Sequence, residues 1–147
     1  MATPAVNFNS EILARSFFEE IQVNTRRKGG DDPDESGYLV KIEARDPSDV
    51  YVVRNTVAPG GSSGWHTHPG PSVVSVKAGT ATVYSGDDPS CAPTTYPAGT
   101  GFIDAGGGHV HLVRNTGTVA LETIAFQFVP TGAARRIDAP NPGFCSF

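Results

Sequence analysis

Four histidines in a chain of 147 residues carry its clearest chemical signal, because they fall in two His-x-His pairs. These are His66-Thr67-His68 and His109-Val110-His111. Alternate residues of a β-strand point to the same side, roughly 6.6 Å apart along the chain. Where such a strand curves, both imidazoles of a pair converge on one point. Two pairs on neighbouring strands can then surround one divalent ion, at about 2.0–2.1 Å per nitrogen. Neutral imidazole suits zinc, iron, nickel, copper or manganese. The competing reading is a pocket without metal, its histidines hydrogen-bonded to one another or to a bound ligand.

Such pairs need strands beneath them, and the sequence supplies them. Tyr38–Ala44, Val50–Val57, Val73–Ala78, Thr80–Tyr84, Gly101–Asp104, Val110–Asn115 and Ala120–Val129 are mostly short and rich in β-branched and aromatic residues. Turn residues lie near most of their ends, drawn from 17 glycines and 12 prolines. Several short strands at close intervals predict an all-β sandwich or barrel. The length is that of one domain, and no internal repeat stands out. Residues 38–130 read as the barrel. Residues 1–37 read as an N-terminal segment and exposed loop packed on it, and residues 131–147 as a Pro/Gly-punctuated tail wrapping its surface. Within the first segment, Glu11–Ile21 fits either a helix capped by Ser10 or a strand crossing the barrel. The charged, glycine-rich stretch Arg26–Gly37 reads as an exposed loop.

The spacing around the histidines resembles the cupin superfamily. That family's first motif runs glycine, five residues, His-x-His, three or four residues, glutamate, six residues, glycine. Here Gly60, His66, His68, position 72 and Gly79 fall at those spacings. The family's second motif ends in proline, one residue, glycine, two residues, histidine, three residues, asparagine. Gly108, His111 and Asn115 match that ending, with Gly106 in place of the proline. The resemblance covers about residues 60–115. It implies a double-stranded β-helix, or jelly-roll, barrel with His66, His68 and His111 as metal ligands. It also implies that Asn115 is structural and that Gly60 and Gly79 lie in turns that exclude a side chain.

The family's glutamate is missing: position 72 is Ser72. A neutral hydroxyl is a weak ligand, so two arrangements remain open. A three-histidine site would keep the ion's full charge and leave positions for water or substrate. Alternatively, His109 would complete a four-histidine set. Parity with His111 places His109 facing the interior; if it is not a ligand, it becomes the candidate general acid or base. Ser72 and Gln127 are candidate pocket residues. Trp65 falls on the opposite strand face and reads as packing. Arg135 and Arg136 read as a solvated pair rather than an anion clamp.

A three-histidine set resembles that of the cupin dioxygenases that act on cysteine and on acetylacetone. The resemblance implies one divalent ion (Fe, Zn, Mn or Ni) and an oxygenase-like enzyme, or a related lyase, isomerase or cyclase. Its ligand would be small, chelating and anionic. The alternative is a non-catalytic cupin that binds a small ligand or the metal itself. Cupins often pair as homodimers through their sheets.

The net charge of −4 gives no basic stripe, which argues against nucleic acid as a partner. No apolar run approaches the ~20 residues needed to cross a bilayer. The opening residues lack the charged start and apolar stretch of an export signal, so the default expectation is cytoplasmic. Cys91 and Cys145 qualify it. Both sit in turn-like contexts, and either they are two free thiols or a disulfide pins the tail to a loop. A bridge would point to an oxidising compartment and a native start that had been removed.

Overall fold

The computed structural model describes residues 1–27 and 37–147. Its strands are β1 (Val6–Phe18), β2 (Ile21–Arg27), β3 (Tyr38–Ala44), β4 (Ser48–Ser62), β5 (His66–Thr67) and β6 (Ser72–Ala78). They continue as β7 (Thr80–Ser85), β8 (Thr94–Pro97), β9 (Gly101–Asp104), β10 (His111–Arg114), β11 (Leu121–Pro130) and β12 (Ile137–Asp138). Among the described residues none is helical. Ten strands form one sheet in the order β12-β5-β10-β4-β11-β6-β9, with β1 also on β4 and β7 joining β10 to β8. All pairings are antiparallel, and the sheet curls into a nearly closed barrel.

Period-2 patterning sets which residues enter the barrel. In β11, Leu121, Thr123, Ala125, Gln127 and Val129 are buried while their neighbours face outward. Across the register, Leu121 meets Val57, Ala125 meets Val53 and Val74, and Gln127 meets Tyr51 and Ser72. The interior therefore grades along its axis. One end is apolar, where Val57, Val76, Ala81 and Leu121 pack together with Phe102 and Val113 at its border. The other end is polar. A separate cluster of Trp65, Tyr84, Leu112, Ala139 and Cys145 lies under the C-terminal tail.

Two placements differ from the sequence reading. Tyr38–Ala44 is not a barrel strand; it pairs with β2 in a separate two-stranded sheet. Instead β1 joins the large sheet, running antiparallel to β4 from Val6 opposite Ser62 to Phe18 opposite Ser48. Nearly all of β1 is exposed, apolar Ile12, Leu13 and Phe17 included, so it lacks the alternation that marks a half-buried strand. A bidentate pair from Arg15 to Asp49, at 3.0 and 2.8 Å, fixes it laterally. Of the stretch expected as an exposed loop, Arg26 and Arg27 end β2, and residues 28–36 lie outside the described residues.

Cys91 and Cys145 are joined in a disulfide, their Cα atoms 5.4 Å apart. It ties the chain's end to the connection between β7 and β8. A closed loop spanning a sequence separation of 54 restricts the unfolded chain strongly. Cys91→Ser is therefore expected to lower stability by about 2–4 kcal/mol. Urea unfolding of both proteins, compared without reductant, measures the loss; equal midpoints would remove the tail's tether from the account of stability.

Candidate metal centre

The two sequence motifs meet on one rung of the barrel. His66 of β5 stands directly opposite His111 of β10, and His68 follows on the same side as His66. Their ring centroids are 4.3 Å apart for His66 and His111, 4.9 Å for His66 and His68, and 5.5 Å for His68 and His111. One nitrogen from each of the three lies within 4.8 Å of the others, close enough for a single ion to be held. All three side chains are buried.

Backbone carbonyls fix two of the rings. His66 Nδ1 is 2.9 Å from the Gly64 carbonyl, and His68 Nδ1 is 2.7 Å from the Arg135 carbonyl. A carbonyl only accepts, so each Nδ1 carries the proton and each Nε2 keeps its lone pair. This outer hydrogen bond is the usual support of a metal-bound imidazole. Burial drives all three imidazoles toward neutrality. His66 is pushed down to about 2 and His111 to about 4, while His68 is lowered as well. At His111 burial outweighs the opposing pull of the Asp104 carboxylate.

The site occupies the polar end of a cavity of about 70 Å³. On the wall facing the histidines, one rung runs Asp104, Ser72 and Gln127 across β9, β6 and β11. Ser72 Oγ, Asp104 Oδ2 and His111 Nδ1 are buried and have no hydrogen-bond partner. Unpaired polar atoms at such depth are costly, and their clustering beside three lone-pair donors fits a bound cation with its waters.

His109 is placed differently from the parity expectation. It precedes β10 in a turn through Gly106, Gly107 and Gly108, where its N–H bonds to the Gly106 carbonyl. Alternation holds only within a strand, and β10 begins at His111. The ring is partly exposed, with Nε2 2.8 Å from Ser85 Oγ and Nδ1 3.3 Å from Asp104 Oδ1. It stacks on His111 at 6.2 Å and stays out of the cavity lining.

The arginines also depart from expectation. Arg135 and Arg136 are not a solvated pair but line the cavity. Arg135 Nη1 donates to Gln127 Oε1 at 2.7 Å, and Arg136 Nη2 donates to the Ser63 carbonyl at 2.6 Å. Burial lowers the Arg135 pKa from its ordinary value, with Arg136 adding repulsion. Asp104 was missed altogether. Its signal lay in β9, where Phe102 and Asp104 alternate inward and Asp104 pairs with Ser72. Gly60 and Gly79 adopt φ of +78° and +72°. Asn115 Nδ2 donates to the Val57 and Val119 carbonyls, and its Oδ1 accepts from Gly117 N.

The profile of the cupin domain family matches residues 53–126, half of the chain. The chain is a cupin. Its fold is similar to that of an uncharacterized conserved protein with a double-stranded β-helix domain from Klebsiella pneumoniae. That likeness has a TM-score of 0.52 and 20% identity, over 81% of this chain and 84% of that one. It is also similar to oxalate oxidase, solved in complex with the substrate analogue glycolate. There the TM-score is 0.51 and the identity 22%, over 60% of this chain but 45% of that one. This cupin therefore spans less than half of oxalate oxidase. Both likenesses are of fold, a double-stranded β-helix. No curated protein matches the sequence.

The depressed imidazoles give metal-free protein a definite pH dependence. An unfolded chain protonates its histidines near 6.5, whereas the folded values are about 2 for His66 and about 4 for His111. Folded pKa values below the unfolded ones mean that stability is fully present above 6.5 and is lost as pH falls toward them. Chelator-treated protein should show falling urea midpoints between pH 7.5 and pH 4.5 (roughly, from the imidazole range). A flat profile across that window would mean that these rings are not held neutral.

Proposed function

We propose that this cupin is a metal-dependent enzyme acting on a small anionic, chelating molecule with oxygenase-type chemistry. The observation that carries the reading is the convergence of three neutral imidazoles at the arginine-lined end of a small cavity. His66, His68 and His111 would hold one divalent ion. When bound, that ion would supply Lewis-acid polarisation, a template for chelation and, if redox-active, electron exchange with oxygen.

This chain's own residues would do the rest. The carbonyls of Gly64 and Arg135 hold two ligand rings in register. The Arg135 guanidinium, oriented by Gln127, would accept a substrate carboxylate, for which its planar fork is suited. A cavity of about 70 Å³ has room for several waters, each needing roughly 10–15 Å³ in that measure, and suits a small substrate. Val57, Leu121 and Phe102 close the inner end and would exclude bulk water from the reacting atoms. Glycolate, the substrate analogue bound in oxalate oxidase, is a small chelating anion, which supports the class.

The competing reading is a non-catalytic cupin that retains a small anion or the metal. Its support is that His109 stands outside the cavity lining, which leaves few groups there able to exchange a proton.

Metal analysis of untagged protein should find about one equivalent, falling sharply in His66→Ala and His111→Ala. Arg135→Ala should weaken binding of a small carboxylate by roughly tenfold or more, the worth of one charge-assisted hydrogen bond. Ferrous-loaded protein should consume oxygen at an electrode with a member of a panel of small chelating acids, diketones and thiols. Tight binding without any turnover across that panel would replace the enzyme reading with the binding one.

A further inference from the structure

We infer that Asp104 is the carboxylate ligand of the metal site, supplied from β9 in place of the glutamate absent at position 72. The inference rests on the metal-site reading above and deepens it. Register is the first support. Asp104 and Ser72 are paired residues on adjacent strands, both pointing into the barrel. A carboxylate at 104 therefore enters the cavity one strand away from where a longer acidic side chain at 72 would enter it.

Charge is the second support. Asp104 is 5% exposed, and a carboxylate at that depth needs a cation or a full set of donors. Among the described residues its ion-pair neighbours are two imidazoles only, His109 at 3.3 Å and His111 at 3.5 Å. His111, as a metal ligand, would be neutral and would not offset its charge. Both arginines of the cavity are engaged elsewhere, with Gln127 and Ser63.

Unused coordination is the third support. Oδ1 faces the imidazoles, while Oδ2 is buried and has no partner. Asp104, His109 and His111 form a second group with ligand atoms within 4.8 Å of one another, and this group shares His111 with the three-histidine cluster. The free oxygen, the three-histidine cluster and the shared cavity place a lone carboxylate beside a cation site that lacks one. Three neutral imidazoles and one carboxylate would reduce a divalent ion's charge to a net single positive. Ser72, with its partnerless Oγ, is left beside the ion as a neutral neighbour.

The test measures zinc and manganese affinity of the full chain by chelator competition. It compares wild type with Asp104→Ala, Asp104→Asn and the double variant Asp104→Ala/Ser72→Glu. Losing a direct ligand should weaken binding by more than about 100-fold, beyond the 10–100-fold typical of an outer partner. Glutamate at 72 should restore affinity to within about tenfold of wild type, a rescue that a merely structural role would not show. Asp104→Asn preserves shape, so it reports on ligation even if the alanine variant folds poorly. If wild type binds no metal, the metal-site reading itself fails. If wild type binds and both single variants bind as tightly, Asp104 is not a ligand. A loss confined to 10–100-fold without rescue by Ser72→Glu would make Asp104 a positioning residue for His111 and overturn the assignment.

Discussion

Burying three imidazoles around one point is the constraint around which the rest of this barrel is arranged. A neutral imidazole carries one donor and one acceptor, and in a dry interior each must find a partner. His66 and His68 place their donors on main-chain carbonyls, which leaves their acceptors aimed at a shared point. That arrangement requires backbone on both sides of β5. β10 supplies one neighbour and β12 the other. A two-residue strand could not hold His66, and His68 just past its end, in place on its own. It does so because it is sandwiched, with Trp65 on its far face packed against Tyr84, Leu112 and Ala139.

The polar end of the interior is permitted by the apolar end. Leu121, Val57, Val76 and Ala81 close one half of the barrel without a polar atom among their side chains. Two residues further along β11, Asn55 and Thr123 pair with each other by a hydrogen bond of 3.3 Å. Beyond them lie Gln127, Ser72 and Asp104. Between those two polar rungs lies the apolar rung of Val53, Val74 and Ala125, so polar groups are interleaved with hydrophobic burial along the strands. The unpaired atoms concentrate where the histidines converge. In a fold stabilised by burial, such a concentration persists when something else satisfies those atoms.

Much of this was legible in the sequence, and for definable reasons. The His66-x-His68 spacing and the glycines at positive φ survive translation into three dimensions because they depend on period-2 geometry and on φ, both local properties. Gly79 illustrates it: a Cβ there would lie 2.7 Å from the Ala120 carbonyl oxygen, at a φ of +72°. What could not be read depended on pairing between distant segments. Asp104 matters because β9 happens to lie beside β6 in a register that sets it against Ser72. Arg135 and Arg136 looked like surface charges because nothing nearby in sequence shows the tail folding back onto β5. His109 failed for the opposite reason. Alternation was carried two residues past the start of β10, into a turn whose glycines all have positive φ.

The tail is therefore a wall of the site rather than an appendage to it. The Arg135 carbonyl is the acceptor for His68, and the Arg135 guanidinium lines the same cavity. Arg136 bonds to the Ser63 carbonyl, three residues ahead of His66, and Asp138 pairs with His66 itself. Removing this segment would leave His68 Nδ1 without its partner and open one side of β5 to solvent. Nothing within the stretch that carries both histidine motifs compensates for either loss. The disulfide from Cys145 back to Cys91 closes the chain beyond Asp138 onto the β7–β8 connection, and β7 is hydrogen-bonded to β10, the strand that carries His111. One covalent bond thus links the segment that orients His68 to the strand that presents His111. The geometry of the histidine cluster is set by the chain's two most distant-looking features, a short tail and a surface loop, as directly as by the motifs that announce it.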